Sequence, residues 1–362
     1  MNNPLADIAL RDFRPRPAVR LAAHHPARAT APVVDIHNHL GRWHDGDWRV
    51  ADIPALVGLM DDCNVATIVN LDGCWSDELE LNLDRYDRQY PGRFLTFARL
   101  DWTDTATAGW PERFAASIRD SARRGAKGLK LWKDIGLRVR DENGELIFLD
   151  DTRLEPVWTA IAECGLPVLV HTADPAAFFE PLDETNERLE ELLEHPDWHF
   201  YGPDVPTLSR LLSALENVVA AHPSITFIGA HVGCYAEDLD WVDRMLTDYS
   251  NFFIDIAARI AELGRQPRRA KQLIERHPSR VLLGSDVSPP TAEAYATYFR
   301  FLETADEYFP YTNEDPPDTG RWNISALDLN EAQIEAVEGG NARALLAEQL
   351  VSGTPHGVGV DV

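Results

Sequence analysis

The chain is 362 residues long, 44% hydrophobic and 26% charged, with a formal net charge of −25. That length suits one large α/β barrel or two ordinary domains, and the composition is that of a globular protein. The acidic charge argues against a phosphate-backbone partner, which is bound through Lys and Arg displacing counterions, and no apolar run approaches the ~18 residues of a membrane-spanning helix.

Residues 1–32 read as an arm rich in Arg and Pro that packs outside the main body. The opening MNNPLADIALRDFRPRP lacks the apolar core of a secretory leader, so the cytoplasm is the expected setting. From residue 33 short apolar runs alternate with longer amphipathic stretches. The first four strand candidates are VVDIHNH (33–39), ATIVNL (66–71), RFLTFARL (93–100) and AKGLKLW (126–132). The next four are LPVLVH (166–171), ITFIGAH (225–231), FFIDIAA (252–258) and VLLGSD (281–286). Each is short, rich in β-branched or aromatic residues, and bounded by Gly, Pro, Asp or Asn. Between them IPALVGLMDDC, LEPVWTAIAECG, PTLSRLLSALENVVAAH and LDWVDRMLTDY carry apolar residues at helical spacing. The closing helix NEAQIEAVEGGNARALLAEQL contains Gly339-Gly340, which predicts two pieces with a break.

Eight β-then-α units predict a parallel sheet closed into a (β/α)₈ TIM barrel over 33–350, with a C-terminal tail at 351–362. The alternative, an open doubly wound sheet, rarely needs eight strands, and no glycine-rich phosphate fingerprint follows the first one. Insertions at 172–205 and 287–325, after strands 5 and 8, belong at the barrel mouth. Phe178, Phe179, Trp198, Phe200 and Tyr201 make the first too aromatic for a solvated linker and predict a packed lid.

Strand alternation places Asp35, His37 and His39 on one face, with Val34 and Ile36 turned towards the helices. Two imidazoles thus enter the mouth together. An H-x-H pair alone is weak evidence, but His171, His231 and Asp286 end strands 5, 6 and 8. Neutral imidazoles with a carboxylate suit a divalent cation: Zn²⁺ first, Mn²⁺ or Fe²⁺ as alternatives.

DIHNHL, LVHTAD, IGAHVG, LLGSD and the terminal GNARALL, in that order, resemble the amidohydrolase-2 branch of the amidohydrolase superfamily over roughly residues 33–350. The resemblance implies that His37, His39, His171 and Asp286 ligate a catalytic metal. It implies that His231 stands beside it as an acid/base or electrophilic residue, and that Asp286 moves the proton of an attacking water. It does not fix the reaction, because the branch includes hydrolases, nonoxidative decarboxylases and hydratases. A hydrolase acting on a small carboxylated or hydroxylated substrate (a lactone, ester or amide) is the leading reading, and a decarboxylase or other lyase the alternative.

Lys130, one of only four lysines, faces the lumen by the alternation of AKGLKLW. It either anchors a substrate carboxylate beside one metal ion, the favoured reading, or is carboxylated and bridges two. Arg259 is a candidate carboxylate clamp or a partner of Glu262, and Trp43 and Trp75 are candidate pocket walls. Asp174 is better placed to cap the lid loop than to orient His171, and Asp35 reads as a supporting residue. The four scattered cysteines read as ordinary thiols. The expected partner is a small-molecule substrate, with no nucleic acid and no membrane, and homo-oligomerisation is left open.

Overall fold

The computed structural model describes residues 3–349 apart from 4, 10, 11, 17, 43–45, 318 and 348. Trp43 and the tail 351–362 therefore lie outside the described residues. The eight strands are β1 (Val33–Asn38), β2 (Val65–Asn70), β3 (Phe94–Thr96), β4 (Leu129–Leu131), β5 (Val168–Val170), β6 (Phe227–Gly229), β7 (Phe252–Asp255) and β8 (Val281–Leu282). They pair in parallel in the orders β1-β2-β3 and β4-β5-β6-β7-β8. Backbone hydrogen bonds join the two runs. Ala98 N donates to Gly128 O (2.9 Å) and Lys130 N to Ala98 O (2.8 Å) between β3 and β4. Ile36 N donates to Leu283 O (3.0 Å) and Asp286 N to His37 O (2.8 Å) between β8 and β1. The sheet thus closes on itself as a (β/α)₈ barrel.

Each strand is shorter at its C-terminal end than its apolar run predicts. The chain leaves extended geometry where it builds the mouth: Cys74, His231, Val232, Ala258 and Asp286 all have left-handed φ. Outside the barrel, Leu56, Phe114, Ile161 and Leu215 of the helices pack on Val33, Ile68, Val168 and Ile254 of the strands. A second cluster fills the lumen with Val34, Ile36, Phe97, Leu169, Ile228 and Leu282.

This reverses the expected facing of Val34 and Ile36. Register shifts between Val33/Val34 and Asp35/Asn38 break the two-residue alternation of β1. Asp35 lies instead on the helix side. It accepts from Tyr295 Oη (2.9 Å) on the helix Ala292–Glu303 and from Ser285 N (2.9 Å), while the lumen receives His37.

The final helix also departs from expectation. Glu331–Glu335, a π turn at Ala336–Gly340 and Asn341–Leu345 follow one another without a break, and Asn341 N–H bonds Ala336 O. The glycines serve close approach: a Cβ on Gly339 would collide with the carbonyl oxygen of Pro32, where the arm enters β1.

The insertion after β5 has its own small core, in which Phe178, Phe179 and Phe200 pack with Leu137, Leu192 and Cys234. Trp198 stacks on His195 at 4.0 Å between ring centroids. Tyr201, expected in this core, is 54% exposed. The buried Arg188 ties the lid to Glu262, beyond β7. The arm is held through Thr30 N to Glu303 (3.0 Å) and His24 N to Asp306 (2.7 Å). No helix among the described residues is long and apolar enough to cross a membrane.

Candidate metal centre

Three imidazoles at the mouth are oriented through Nδ1. His37 Nδ1 donates to Asp255 Oδ2 (2.9 Å), His39 Nδ1 to Asp72 Oδ1 (2.8 Å) and His231 Nδ1 to Ala257 O (2.8 Å). With Nδ1 donating, a neutral ring keeps its lone pair on Nε2, the arrangement that orients metal-binding histidines. All three Nε2 atoms face one carboxylate. His39 lies 3.4 Å and His37 3.7 Å from Asp286 Oδ1, and His231 lies 3.8 Å from Oδ2.

His171 completes the group, its ring 4.4 Å from that of His231. Its buried Nε2 has Asp174 Oδ1 at 3.5 Å but no hydrogen-bond partner among the described residues. With that carboxylate beside Nε2, a neutral ring carries its proton there and keeps the Nδ1 lone pair for a cation.

Burial pushes His37 and His231 well below the usual histidine range and His171 down to about 4, so all three rings are neutral at pH 7. Neutral imidazole is the ligating form. Burial lifts Asp255 to about 6, opposed by the N–H of His231 and by the charge of Lys130.

The structure thus brings together all five residues singled out at the strand ends, and the donor set fits a divalent cation. The grouping differs in one respect from the resemblance. His37, His231 and Asp286 have ligand atoms within 4.8 Å of one another, so His231 sits among the ligand positions and not only beside them. His39 Nε2 is nearer Asp286 than that of either other ring, but His39 is not one of the three residues so closely grouped.

The backbone contributes as well. His231 and Asp286 both have φ of 56°, a conformation costing roughly 1–3 kcal/mol in a non-glycine residue. His231 N donating to Asp255 Oδ1 (2.8 Å) and Asp286 N donating to His37 O (2.8 Å) hold these turns.

Lys130 reaches the lumen as the alternation predicts. It is 1% exposed, its Nζ lies 3.2 Å from His37 Nε2, and burial pushes its pKa down to about 8. Arg259 is buried beyond β7 and donates to Ala258 O (2.6 Å). Burial disfavours its charge, but Glu262 and Glu237 overcome this and hold its pKa above the usual value. Trp75 is half-buried immediately before the helix Ser76–Arg85. Asp174 is drawn to Lys133 and His171 and is not a helix cap, which corrects the capping assignment.

Three neighbours escaped the sequence reading, Asp72 and Asp255 beneath the histidines and Arg99 beside them, whereas the alternation that turns Lys130 inward turns Trp132 inward too. The signal for Asp255 was present, since an acid inside the apolar run FFIDIAA is costly unless it is paired.

A cavity of about 470 Å³ opens on Asp286, bounded by Thr297, Tyr298, Tyr311 and Asn313 of the second insertion. A larger one of about 810 Å³ lies between the lid and the outer helices, lined by Phe179, Tyr201 and Trp241 and by none of the centre's histidines.

The amidohydrolase-2 family profile matches residues 86–347. No curated protein sequence matches the chain. Among solved structures, 2,6-dihydroxybenzoate decarboxylase from Rhizobium is similar at TM-score 0.56 and 16% identity, covering 88% of this chain and 99% of that one. A dihydroxybenzoic acid decarboxylase from a Polaromonas species, with bound manganese and 2-nitroresorcinol, aligns at TM-score 0.55 and 14% identity over 88% and 97% of the two chains. A probable 2-pyrone-4,6-dicarboxylic acid hydrolase from Acinetobacter baumannii, with citric acid bound, aligns at 0.50 and 13% over 87% and 99%. With its profile match, its closed barrel and its His/Asp centre, the chain belongs to the amidohydrolase-2 family.

Proposed function

We propose that the protein is a metal-dependent hydrolase acting on a small carboxylated or hydroxylated substrate, a lactone, ester or amide. The observation that carries this reading is the convergence of the imidazole Nε2 atoms on Asp286, with Nδ1 of three rings fixed from behind. His37, His39, His171 and Asp286 would hold one divalent ion, Zn²⁺ before Mn²⁺ or Fe²⁺, with His231 at a ligand position or beside it. A cation bound there activates water and polarises a carbonyl. Asp286, whose side chain is 25% exposed towards the mouth, accepts the proton of the attacking water and returns it to the leaving group. His231 steadies the developing oxyanion. Lys130, deep beside His37, meets a substrate oxygen at the reacting end. Arg259 and Trp75 remain secondary candidates for substrate contact, Arg259 less strongly given the acids around it.

Nonoxidative decarboxylation is the second reading, favoured by the two dihydroxybenzoate decarboxylases among the similar folds. Products separate the two. Hydrolysis transfers labelled oxygen from water into the product, whereas decarboxylation releases CO₂ without it, and the label is the expected outcome.

Lys130→Ala tests the metal count. If Lys130 contacts substrate, the variant keeps its metal and mainly raises KM. Loss of metal in the variant, with bicarbonate restoring metal only to the wild type, would mean a carboxylated lysine bridging two ions.

A further inference from the structure

We propose that Arg99, laid over Trp132, recognises a substrate carboxylate at the mouth, and that the opposite wall requires the substrate's far end to be uncharged or cationic. This deepens the metal-enzyme reading above and rests on it. Arg99 follows β3 on the C-terminal side of the barrel, its backbone N–H anchored on Cys74 O (2.8 Å). Its guanidinium carbon lies 4.7 Å from the Trp132 ring centroid, which is itself 5.2 Å from the ring of His39. The stack holds a planar fork in place beside the metal centre, and such a fork matches a carboxylate through two parallel hydrogen bonds.

The fork is ion-paired with the buried Asp72 but not hydrogen-bonded to it, so its N–H donors stay open. The side chain is 22% exposed, and its nearest acid oxygen, Asp72 Oδ1, is 3.8 Å away, beyond hydrogen-bond reach. That oxygen already accepts from His39 Nδ1 at 2.8 Å. No side-chain hydrogen bond from Arg99 is made among the described residues. Arg42 and Arg188, by contrast, are each bonded to glutamates. Lys130, the other cation near Trp132, is buried against His37 and sits too deep to read a group at the rim.

The far wall has the opposite character. The cavity that opens on Asp286 is lined by Glu293 and Glu314 together with Thr297, Tyr298 and Asn313, and by no Lys or Arg among the described residues. A second anion there would meet acids and neutral dipoles, because Arg259 on that flank is buried and engaged by Glu262 and Glu237. The mouth is therefore polarised, with one anion-accepting flank at β3/β4 and one anion-rejecting flank at β7/β8.

The test is calorimetric titration of chelator-treated, metal-depleted protein with benzoate, its neutral isostere benzamide, and terephthalate, which adds a second carboxylate. Wild type should bind benzoate about tenfold or more tighter than benzamide, the usual scale for a charge-assisted pair. Terephthalate should bind more weakly than benzoate. Arg99→Met should remove the benzoate advantage and leave benzamide unchanged. Trp132→Phe, which keeps the charge but loosens the stack, should fall between. Four results would overturn the proposal: no benzoate binding to wild type, equal binding of benzoate and benzamide, benzoate binding unchanged in Arg99→Met, or terephthalate binding more tightly than benzoate. Because the titration uses metal-free protein, an Arg99-dependent preference there, together with metal-loaded enzyme that turns over no carboxylated substrate, refutes the catalytic reading alone.

Discussion

Asp286→Asn is expected to lower kcat by about 10²–10⁴-fold, the scale of a lost general acid/base, and to weaken metal retention. Asparagine is the informative replacement because residue 286 has φ of 56°, which Asn tolerates better than most side chains. The bond from the residue 286 backbone N–H to His37 O is also kept, so the β8–β1 closure survives. The amide can neither accept the water proton nor supply the anionic oxygen that His37, His39 and His231 face. The checks are kcat under saturating substrate, metal content after dialysis, and far-UV circular dichroism to confirm the fold. A variant retaining activity within about tenfold of wild type would remove Asp286 from the chemistry.

Arg188→Met is expected to give the largest loss of stability. Arg188 and Glu262 are 2% and 3% exposed, and they join the lid to the segment after β7. Removing one member of a buried pair leaves the other charge desolvated, at a cost of roughly 3–5 kcal/mol. Arg259 stands near Glu262 and softens this, so the lower end is expected. For a chain of this size the melting temperature should fall by roughly 4–6 °C. The double variant Arg188→Met/Glu262→Gln removes both charges and should recover part of the loss. A single variant melting within about 1 °C of wild type would show that the lid is not fastened there.

The barrel was legible in the sequence because its signal is repeated: eight apolar runs, each followed by a helical stretch, leave few alternative topologies. The strand-end histidines were legible for a related reason. His171, His231 and Asp286 each terminate an apolar run, and polar residues at that position face the mouth. The facing of β1 was not legible, because period-two reasoning assumes a regular strand and the register shift at Asp35/Asn38 is set by tertiary contacts. Gly339-Gly340 misled for a similar reason. A glycine pair signals a break locally, whereas here it makes room for Pro32, a residue more than three hundred positions away. Arg99 follows β3 and Trp132 follows β4, and nothing in one dimension marks them as stacked.

The central claim is that the mouth is a metal centre, and elemental analysis of freshly purified protein tests it most directly. The account predicts about one equivalent of divalent cation per chain, Zn²⁺, Mn²⁺ or Fe²⁺, lost in His37→Ala while the barrel stays folded. Wild-type protein that holds no divalent metal, and whose activity is unchanged by added Zn²⁺ or Mn²⁺, would contradict it.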